Sequence, residues 1–530
     1  MSDSKSQKMN LRSPPPRIRL RNHFRRPMAD AVSAAKTCYS NSIINPNALS
    51  MEDITRIGQT TYEGGHHTVY QHEMFEFELS NVSRALAHDF LHNHPFYNSS
   101  QNSQRYVRID DAKATVPPIT DRRLRGIFRD AVLESFRVYD EITQILVEEL
   151  TENYRKRVSA SRLGRKVQRE IREKAIEAAR YALSIAAHTH LIHTIDGVTL
   201  WRYYKMKNIS TEANTVVEKM VKEVKKIDPS FFALPEGEGA YSKERMPEVS
   251  LRRKLDVDGD KFAKEFDDGL EGRRSKLVSS SNHSEEVIAE SVRHVLGVTK
   301  DSLADDQAID MVLNPANNHY LIDTLNLSII SPISRVLQHA QYTFKKRISH
   351  TADSQDQRHR TIPASRSLTP FVDTKMPDYI VPEIIKRNKE SFKIFGKWMD
   401  RIWDIKNGLL NDGVPIDHAS YLLPNARIVR FEETGSLLNL WYKFTNRSCL
   451  RAEEEIWQVT MDEIEQVKEV NPSLGKYLGP PCFVRKMAHL NKPVSEDVGK
   501  VKYCNQGKLY CRQPVWNIYP QVSVENVLQV

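Results

Sequence analysis

The nine residues SNVSRALAH at 80–88 recur as SPISRVLQH at 331–339, sharing the pattern S-x-[VI]-S-R-[AV]-L-x-H. So many fixed positions in one order point to an internal duplication. Upstream of each copy runs a period-two segment, with Phe75, Phe77 and Leu79 in the first and Leu325, Leu327 and Ile329 in the second. That alternation predicts a half-buried strand feeding a helix that starts near the Ser-Arg pair. Downstream, SQNSQRY (100–106) parallels SQDQRH (354–359), which sets Arg358 and His359 against Arg105 and Tyr106. AARYALS (178–184) parallels HASYLLP (418–424), and Leu200-Trp201 parallels Leu440-Trp441 after an equal interval. Both copies close on a helical run with a proline stop, KEVKKIDPSFF and EQVKEVNPSLG.

The duplication organises the chain of 530 residues. A basic arm (1–27) expected to be disordered precedes the first domain (28–233). A charged, Gly- and Ser-rich linker (234–284) leads to the second domain (285–490), and a C-terminal extension (491–530) matches nothing in the first copy. With 40% hydrophobic residues there is enough apolar material for real cores. The net charge of +9 sits mostly in the arm, where eight Lys and Arg face Asp3 alone. The arm is most simply a disordered, solvated tail, with weak nucleic-acid contact, membrane-surface contact or an organelle presequence as sharper alternatives.

No apolar run approaches the roughly 18–20 residues of a membrane helix, and the N-terminus lacks the apolar stretch of a secretory signal, so a soluble, cytoplasmic protein is expected. Five cysteines (Cys38, Cys449, Cys482, Cys504, Cys511) do not form a disulfide pattern. Cys482, His489, Cys504 and Cys511 are separated by six, fourteen and six residues, unlike the close knuckles of structural zinc sites, and no metal is expected. Neither G-x-G-x-x-G at a strand-helix junction nor G-x-x-x-x-G-K-[ST] is evident. The run ENYRKRVSASRLGRKVQREIREKAIEAARYAL predicts a long amphipathic helix with a solvated charged face.

The stretch GHHTVYQHEMFEFELSNVSRALAHDFLHNHPFYNSSQNSQRYV resembles the signature region of the flavin-dependent thymidylate synthases: GHxS-x-x-EH, an alternating strand, SR-x-x-x-H-[QE]-x-x-RHR, then S-x-R-Y. Gly65, His66, Thr68 and His72 occupy the first block, with Gln71 for the usual Glu, and Ser83, Arg84, His88, Ser103, Arg105 and Tyr106 follow. AARYAL with Arg180, YLLP, Arg447 and AEEEI resemble later blocks. The resemblance covers roughly 28–230 and 300–480. It implies an α+β fold, two tandem copies of the synthase fold (mixed sheet with long helices) forming a pseudo-dimer, with self-association of pseudo-dimers and sites that draw on both copies.

Counted nine residues from the Ser of SR, the family's RHR triplet falls on His92-Asn93-His94 in the first copy and on Thr343-Phe344-Lys345 in the second. On that count neither copy has it in place, and the literal Arg358-His359-Arg360 reads as a phosphate-facing Arg358 with basic neighbours. A deoxyuridylate dianion needs arginines, which are permanently charged and bidentate, and a flavin that gains negative charge needs cationic donors near its ring. The resemblance therefore implies dUMP contacts from Asp89, His92, Ser103, Arg105, Arg180, Arg358 and Arg447. It implies FAD contacts from His66, Thr68, Asn93, His94, Asp196 and Lys207, with Arg447 and His94 at the chemistry. The copies have lost different groups, since Arg180 matches Ser420 and Arg447 matches Lys207. Arg84 and Arg335 read as structural partners at helix starts, and His66, His72 and His88 fit a core role as well as a flavin edge.

Two functions follow. One is an FAD-dependent thymidylate synthase that converts dUMP to dTMP with methylenetetrahydrofolate as carbon donor and NADPH as reductant. The other is a catalytically degenerate relative that binds nucleotide, flavin or nucleic acid, and a third possibility is another flavin or nucleotide reaction on the same fold.

Overall fold

The computed structural model describes residues 9–93, 96–109, 111–157, 164–237, 247–490 and 502–529. The chain forms two compact units: Met1–Val138, Leu183–Asp258 and Asp400–Pro424 make the first, and Tyr139–Ala182, Gly259–Met399 and Asn425–Val530 the second. Each unit is assembled from both sequence repeats. The first takes residues 400–424 from the second repeat, and the second takes residues 139–182 from the first.

The first unit holds an antiparallel sheet of β1 (Arg17–His23), β2 (Met74–Ser83), β3 (Tyr97–Gln101) and β4 (His188–Asp196), in the order β1-β2-β4-β3. The second repeats this with β5 (Ser275–Ser280), β6 (Gln341–Ser349), β7 (Ala364–Arg366) and β8 (Ile428–Ser436), in the order β5-β6-β8-β7. The α+β class expected holds, and the strand pairings within both sheets are antiparallel rather than mixed. The helices that matter for the site are α1 (Arg165–Ala179), α2 (Gly197–Met206) and α3 (Thr211–Lys225), then α4 (His350–Asp356), α5 (Leu437–Arg447) and α6 (Glu454–Val470). Among the described residues no helix is long and apolar enough to cross a membrane.

The alternation in β2 is real: Phe75, Phe77 and Leu79 are buried against Trp201 and Phe231. Asn81, at φ 58°, adds a residue that shifts the register between Ser80 and Val82. The strand expected at Leu325–Ile329 is not one. Leu325 is 77% exposed, and Leu327–Ile329 is a helical turn. The second repeat's strand is β6, which lies later in the chain and pairs with β8 from Gln341–Ser436 to Ser349–Ile428. Its inward row is Tyr342, Phe344, Lys346 and Ile348, and the lysine interrupts the apolar rhythm.

The arm and the linker each supply an edge strand, correcting the expectation of disorder and of a plain linker. In β1, Ile18 and Leu20 pack against the core while Arg19 Nε donates to Glu78 at 2.8 Å. The exposed arginines mark the strand as an edge, where charge on the open side discourages further pairing. In β5, Ser275 Oγ donates to Glu463 at 2.8 Å and the Leu277 amide to Gln466 at 2.8 Å. The described part of the C-terminal extension packs Val515, Tyr519 and Val527 into the core of the second unit. The predicted long amphipathic helix is described as two, Arg122–Arg157 and α1.

Candidate functional site

One serine at the end of a central strand fixes the reading of each unit. The amide and Oγ of Ser83 donate to the two oxygens of Glu212 at 2.8 and 2.6 Å, and Tyr421 Oη donates to the same carboxyl at 2.8 Å. Ser349 does the same to Glu455 at 2.7 and 2.6 Å, and Tyr181 Oη donates to Glu455 at 2.7 Å and to Glu453 at 2.8 Å. Each serine also accepts from the amide three residues on, capping the helix that follows. Tyr181 and Tyr421 occupy matched positions in the AARYALS and HASYLLP blocks, and each braces the carboxyl in its own unit. Ser349, rather than Ser334, is therefore the partner of Ser83, and His350 rather than Arg335 stands opposite Arg84.

This corrects the position of the triplet. Counted nine residues from Ser349, Arg358-His359-Arg360 falls where the resemblance requires RHR, and Gln355 falls on the [QE] position before it. His92-Asn93 stands there in the first unit, while His94 lies outside the described residues. The alignment of Arg358 with Arg105 falls with the alignment of Ser334 with Ser83.

In the second unit the triplet follows α4 directly. Arg358 is exposed, His359 is buried, and Arg360 lies between. Arg447, at the end of α5, reaches back across this turn: its Nε donates to His359 Nε2 at 3.1 Å and its Nη2 to the Gln355 carbonyl at 2.8 Å. Accepting at Nε2 makes His359 the neutral, Nδ1-protonated ring. Burial, then Arg447 and Lys443, hold its pKa well below the usual imidazole value. The permanent charges are thus the arginines, with His359 seating one of them. Gln355 is 8% exposed, and both ends of its side-chain amide are buried with no hydrogen-bond partner. A buried amide left open is costly unless a ligand completes it, and a pyrimidine edge or phosphate is chemistry that it can complete. Sequence reading missed Gln355 because the triplet had been set against the wrong serine.

Arg180, from the first repeat, lies in this same unit. It is buried, its Nε donates to the Glu177 carbonyl at 3.1 Å, and its charge acts on Glu453. Beneath the triplet is a buried charge cluster. Lys346 Nζ lies 2.6 Å from Asp356 and 2.9 Å from both Glu433 and Glu463, and Lys443 pairs with Asp356 at 3.0 Å and with Glu433.

The other described residues expected at the site lie in the first unit. Asp196, expected at the flavin, caps α2 by accepting from the Thr199 amide at 2.7 Å. His92 stacks on Tyr97 with ring centroids 4.7 Å apart and contacts Ser99 Oγ at 3.1 Å. Asp89 pairs with His88 at 2.8 Å, and Lys207 pairs with Glu218 at 3.3 Å. Ser103 Oγ accepts from the Arg105 amide at 3.2 Å, and Arg105 lies over the Tyr106 ring. His66, Thr68 and Asn93 are exposed.

The first unit carries a pH signal. His188 contacts Thr115 Oγ1 at 3.2 Å, and burial followed by Lys113 pushes its pKa from 6.5 to about 4. The depressed value means that the unfolded chain binds the proton more readily, so this contribution to stability is present above pH 6.5 and is lost as pH falls towards 4. Urea titrations from pH 7 to 4 should show that loss, and His188→Gln should flatten it; an unchanged slope in the variant would remove His188 as its source.

The second unit thus brings an arginine-rich turn and an open amide together beside Arg447. The sequence profile of the family described as "Thymidylate synthase complementing protein" matches residues 19–230 and 276–473. The chain belongs to this family. It is 30% identical over 223 residues to the flavin-dependent thymidylate synthase of Clostridium tetani (strain Massachusetts / E88), covering 41% of this chain and 85% of that protein. It is 34% identical over 166 residues to the flavin-dependent thymidylate synthase of Sulfurisphaera tokodaii, covering 31% and 63%. Among solved structures, a UMP/dUMP methylase PolB from Streptomyces cacaoi bound with 5-Br dUMP is similar at 17% identity and a TM-score of 0.33, covering 44% of this chain and 99% of that one.

Proposed function

We propose that the chain is an FAD-dependent thymidylate synthase that methylates dUMP to dTMP, with methylenetetrahydrofolate as one-carbon donor and NADPH as reductant, and that the second unit carries the working site. The observation that carries this reading is the Arg358-His359-Arg360 triplet at the family spacing from Ser349, held by Arg447 and preceded by the open amide of Gln355. Two permanent cations, Arg358 and Arg447, suit a nucleotide phosphate or an electron-rich ring. Arg180 adds a third in the same unit.

FAD, when bound, supplies the hydride and one-carbon chemistry, and the protein's part is binding, orientation and electrostatics. Gln355 donates and accepts at the pyrimidine edge, fixing which face of the ring is presented. Arg447 holds charge near the reacting ring while His359, neutral, fixes its guanidinium. The braces Ser349–Glu455–Tyr181 keep the start of α4, and so the triplet, in register. A second reading applies to the first unit alone: without an arginine triplet and with His92 stacked on Tyr97, it serves as a scaffold that binds no flavin of its own.

The experiment is the absorbance of the purified chain in the flavin bands after incubation with FAD, followed by dUMP titration on the same bands. Bound flavin whose spectrum shifts with dUMP, with turnover when methylenetetrahydrofolate and NADPH are added, is expected. A chain that takes up neither FAD nor dUMP would leave the degenerate reading.

A further inference from the structure

Four of the five cysteines gather in one place. Cys449, just past the end of α5, Cys482 in the helix Pro481–Met487, and Cys504 and Cys511 of the C-terminal extension line a single small cavity in the second unit, with Arg451 and Tyr510 beside them. The cavity has about 20 Å³ of space for a water-sized sphere, room for one ion. All four thiols are free, and each of the other three acts electrostatically on Cys482. The sequence hid this set because Cys449 lies far upstream of the others and His489, weighed in its place, does not line the cavity.

We propose that this cluster is a structural zinc site, with Cys449, Cys482, Cys504 and Cys511 as four thiolate ligands that clamp the C-terminal extension to the second unit. Three features of the surroundings fit a tetrathiolate ion. The Gln506 amide donates to Cys504 Sγ at 3.4 Å, and Cys511 Sγ, now a thiol, donates to the Gln513 carbonyl at 3.6 Å, a bond it would exchange for the metal. Such amide-to-sulfur bonds spread the charge of metal thiolates and orient the ligands. Arg451 lines the cavity and the charge of Arg485 acts on Cys504, opposing the double negative charge of zinc with four thiolates. Finally, Cys449 follows Ser448, whose carbonyl accepts from Trp457 Nε1 at 3.1 Å, and Cys482 packs against the core of the second unit, while Cys504 and Cys511 sit on the extension, so the four ligands would join the two.

Among the described residues no group of three ligands already closes on one point, so loading turns the thiols inward. Each thiol gives up its proton to solvent as its Zn–S bond forms, and no redox step is involved. The ion would also fix the turn two residues beyond Arg447, which makes it a positioning element for that arginine.

Zinc content of the full-length chain purified from zinc-supplemented culture tests the site. About one zinc per chain is expected. Cys504→Ser should lose it, Cys511→His should keep it because three thiolates and an imidazole are also a structural zinc set, and Cys38→Ser, in the other unit, should not change it. Cobalt exchanged into the chain should show the visible bands of tetrahedral thiolate coordination, a readout that does not depend on how Cys504→Ser folds. Absence of zinc, zinc retained in Cys504→Ser, iron with inorganic sulfide in its place, or an intact mass showing the four cysteines paired as disulfides would each overturn the proposal. Flavin uptake, measured separately, bears on the function and not on this site.

Discussion

Arg447→Ala and Arg358→Ala should each lower kcat/KM for dUMP methylation by about 10²–10³-fold, the loss seen when one preorganised charged donor is removed from a reacting centre. The equivalent change in the first unit, Lys207→Ala, should stay within about threefold, since Lys207 is occupied by Glu218 and rests on Tyr204. The two arginine variants should differ in kind. Arg358 is exposed and, on the proposed reading, meets the phosphate away from the reacting ring, so its loss should fall mainly on KM. Arg447 is engaged with His359 and Gln355, so its loss should fall on kcat and alter the pH profile as well. The sign follows from His359: burial comes first and Arg447 second among the influences that depress its pKa. Without Arg447 the ring protonates at higher pH than before, and the acid limb of the remaining activity should move up in pH. Arg447→Lys keeps the charge but not the fork, and should recover only part of the loss. Full activity in both alanine variants, with loss in Lys207→Ala, would move the working site out of the second unit.

How much of this was legible in the sequence depended on what each residue was paired with. The duplication was readable because Tyr181 and Tyr421, and Trp201 and Trp441, keep the same roles in both repeats. Trp201 Nε1 donates to the Phe231 carbonyl and Trp441 Nε1 to the Leu321 carbonyl, each at 3.1 Å. The strand β2 was readable because its inward row is apolar throughout. Its counterpart β6 was not, because an inward Lys346 is tolerable only when distant carboxylates meet it, and Glu433 and Glu463 lie 87 and 117 positions further on. A nearby Ser-Arg that merely looked like the right one, at Ser334, then captured the alignment and carried the triplet with it. The edge strands β1 and β5 were hidden for a related reason: an edge needs one apolar face at most, and both are rich in Arg, Lys and Ser. Asp196 shows a different ambiguity: a carboxylate that fits the site pattern also caps a helix, and the sequence does not separate the two roles.

Lys443→Met should destabilise the second unit by about 3–5 kcal/mol, the cost of leaving buried charge uncompensated. Lys346, Lys443, Asp356 and Glu463 have fully buried side chains, and Glu433 is 3% exposed. Burial alone would raise Asp356, yet Lys346 and Lys443 outweigh it and hold the carboxyl well below its usual range. Burial, then Asp356, pushes Glu433 up, so of these two carboxyls Glu433 gives up its proton last. Removing Lys443 leaves three acids around one lysine, and the unfolding midpoint in urea should fall accordingly. The register shows what stands in the first unit at the same positions: Leu79 for Lys346, Phe90 for Asp356, His193 for Glu433, Tyr203 for Lys443 and Met220 for Glu463. There the space is filled by packing, with His193 Nε2 on Tyr203 Oη at 3.0 Å and Tyr203 Oη donating to the Leu91 carbonyl at 2.8 Å. Transplanting all five residues into the second unit should therefore recover most of the stability lost in Lys443→Met, because a packed, uncharged set whose His and Tyr bond to each other is commonly no worse than a buried ion network. It should not recover activity. Asp356 lies two residues before Arg358 and Lys443 four before Arg447, so their pairing ties the triplet to the helix that holds its arginine. A five-residue variant that is stable and fully active would show the cluster to be packing alone, whereas one that is stable and inactive would show that its charge sets the geometry of the site.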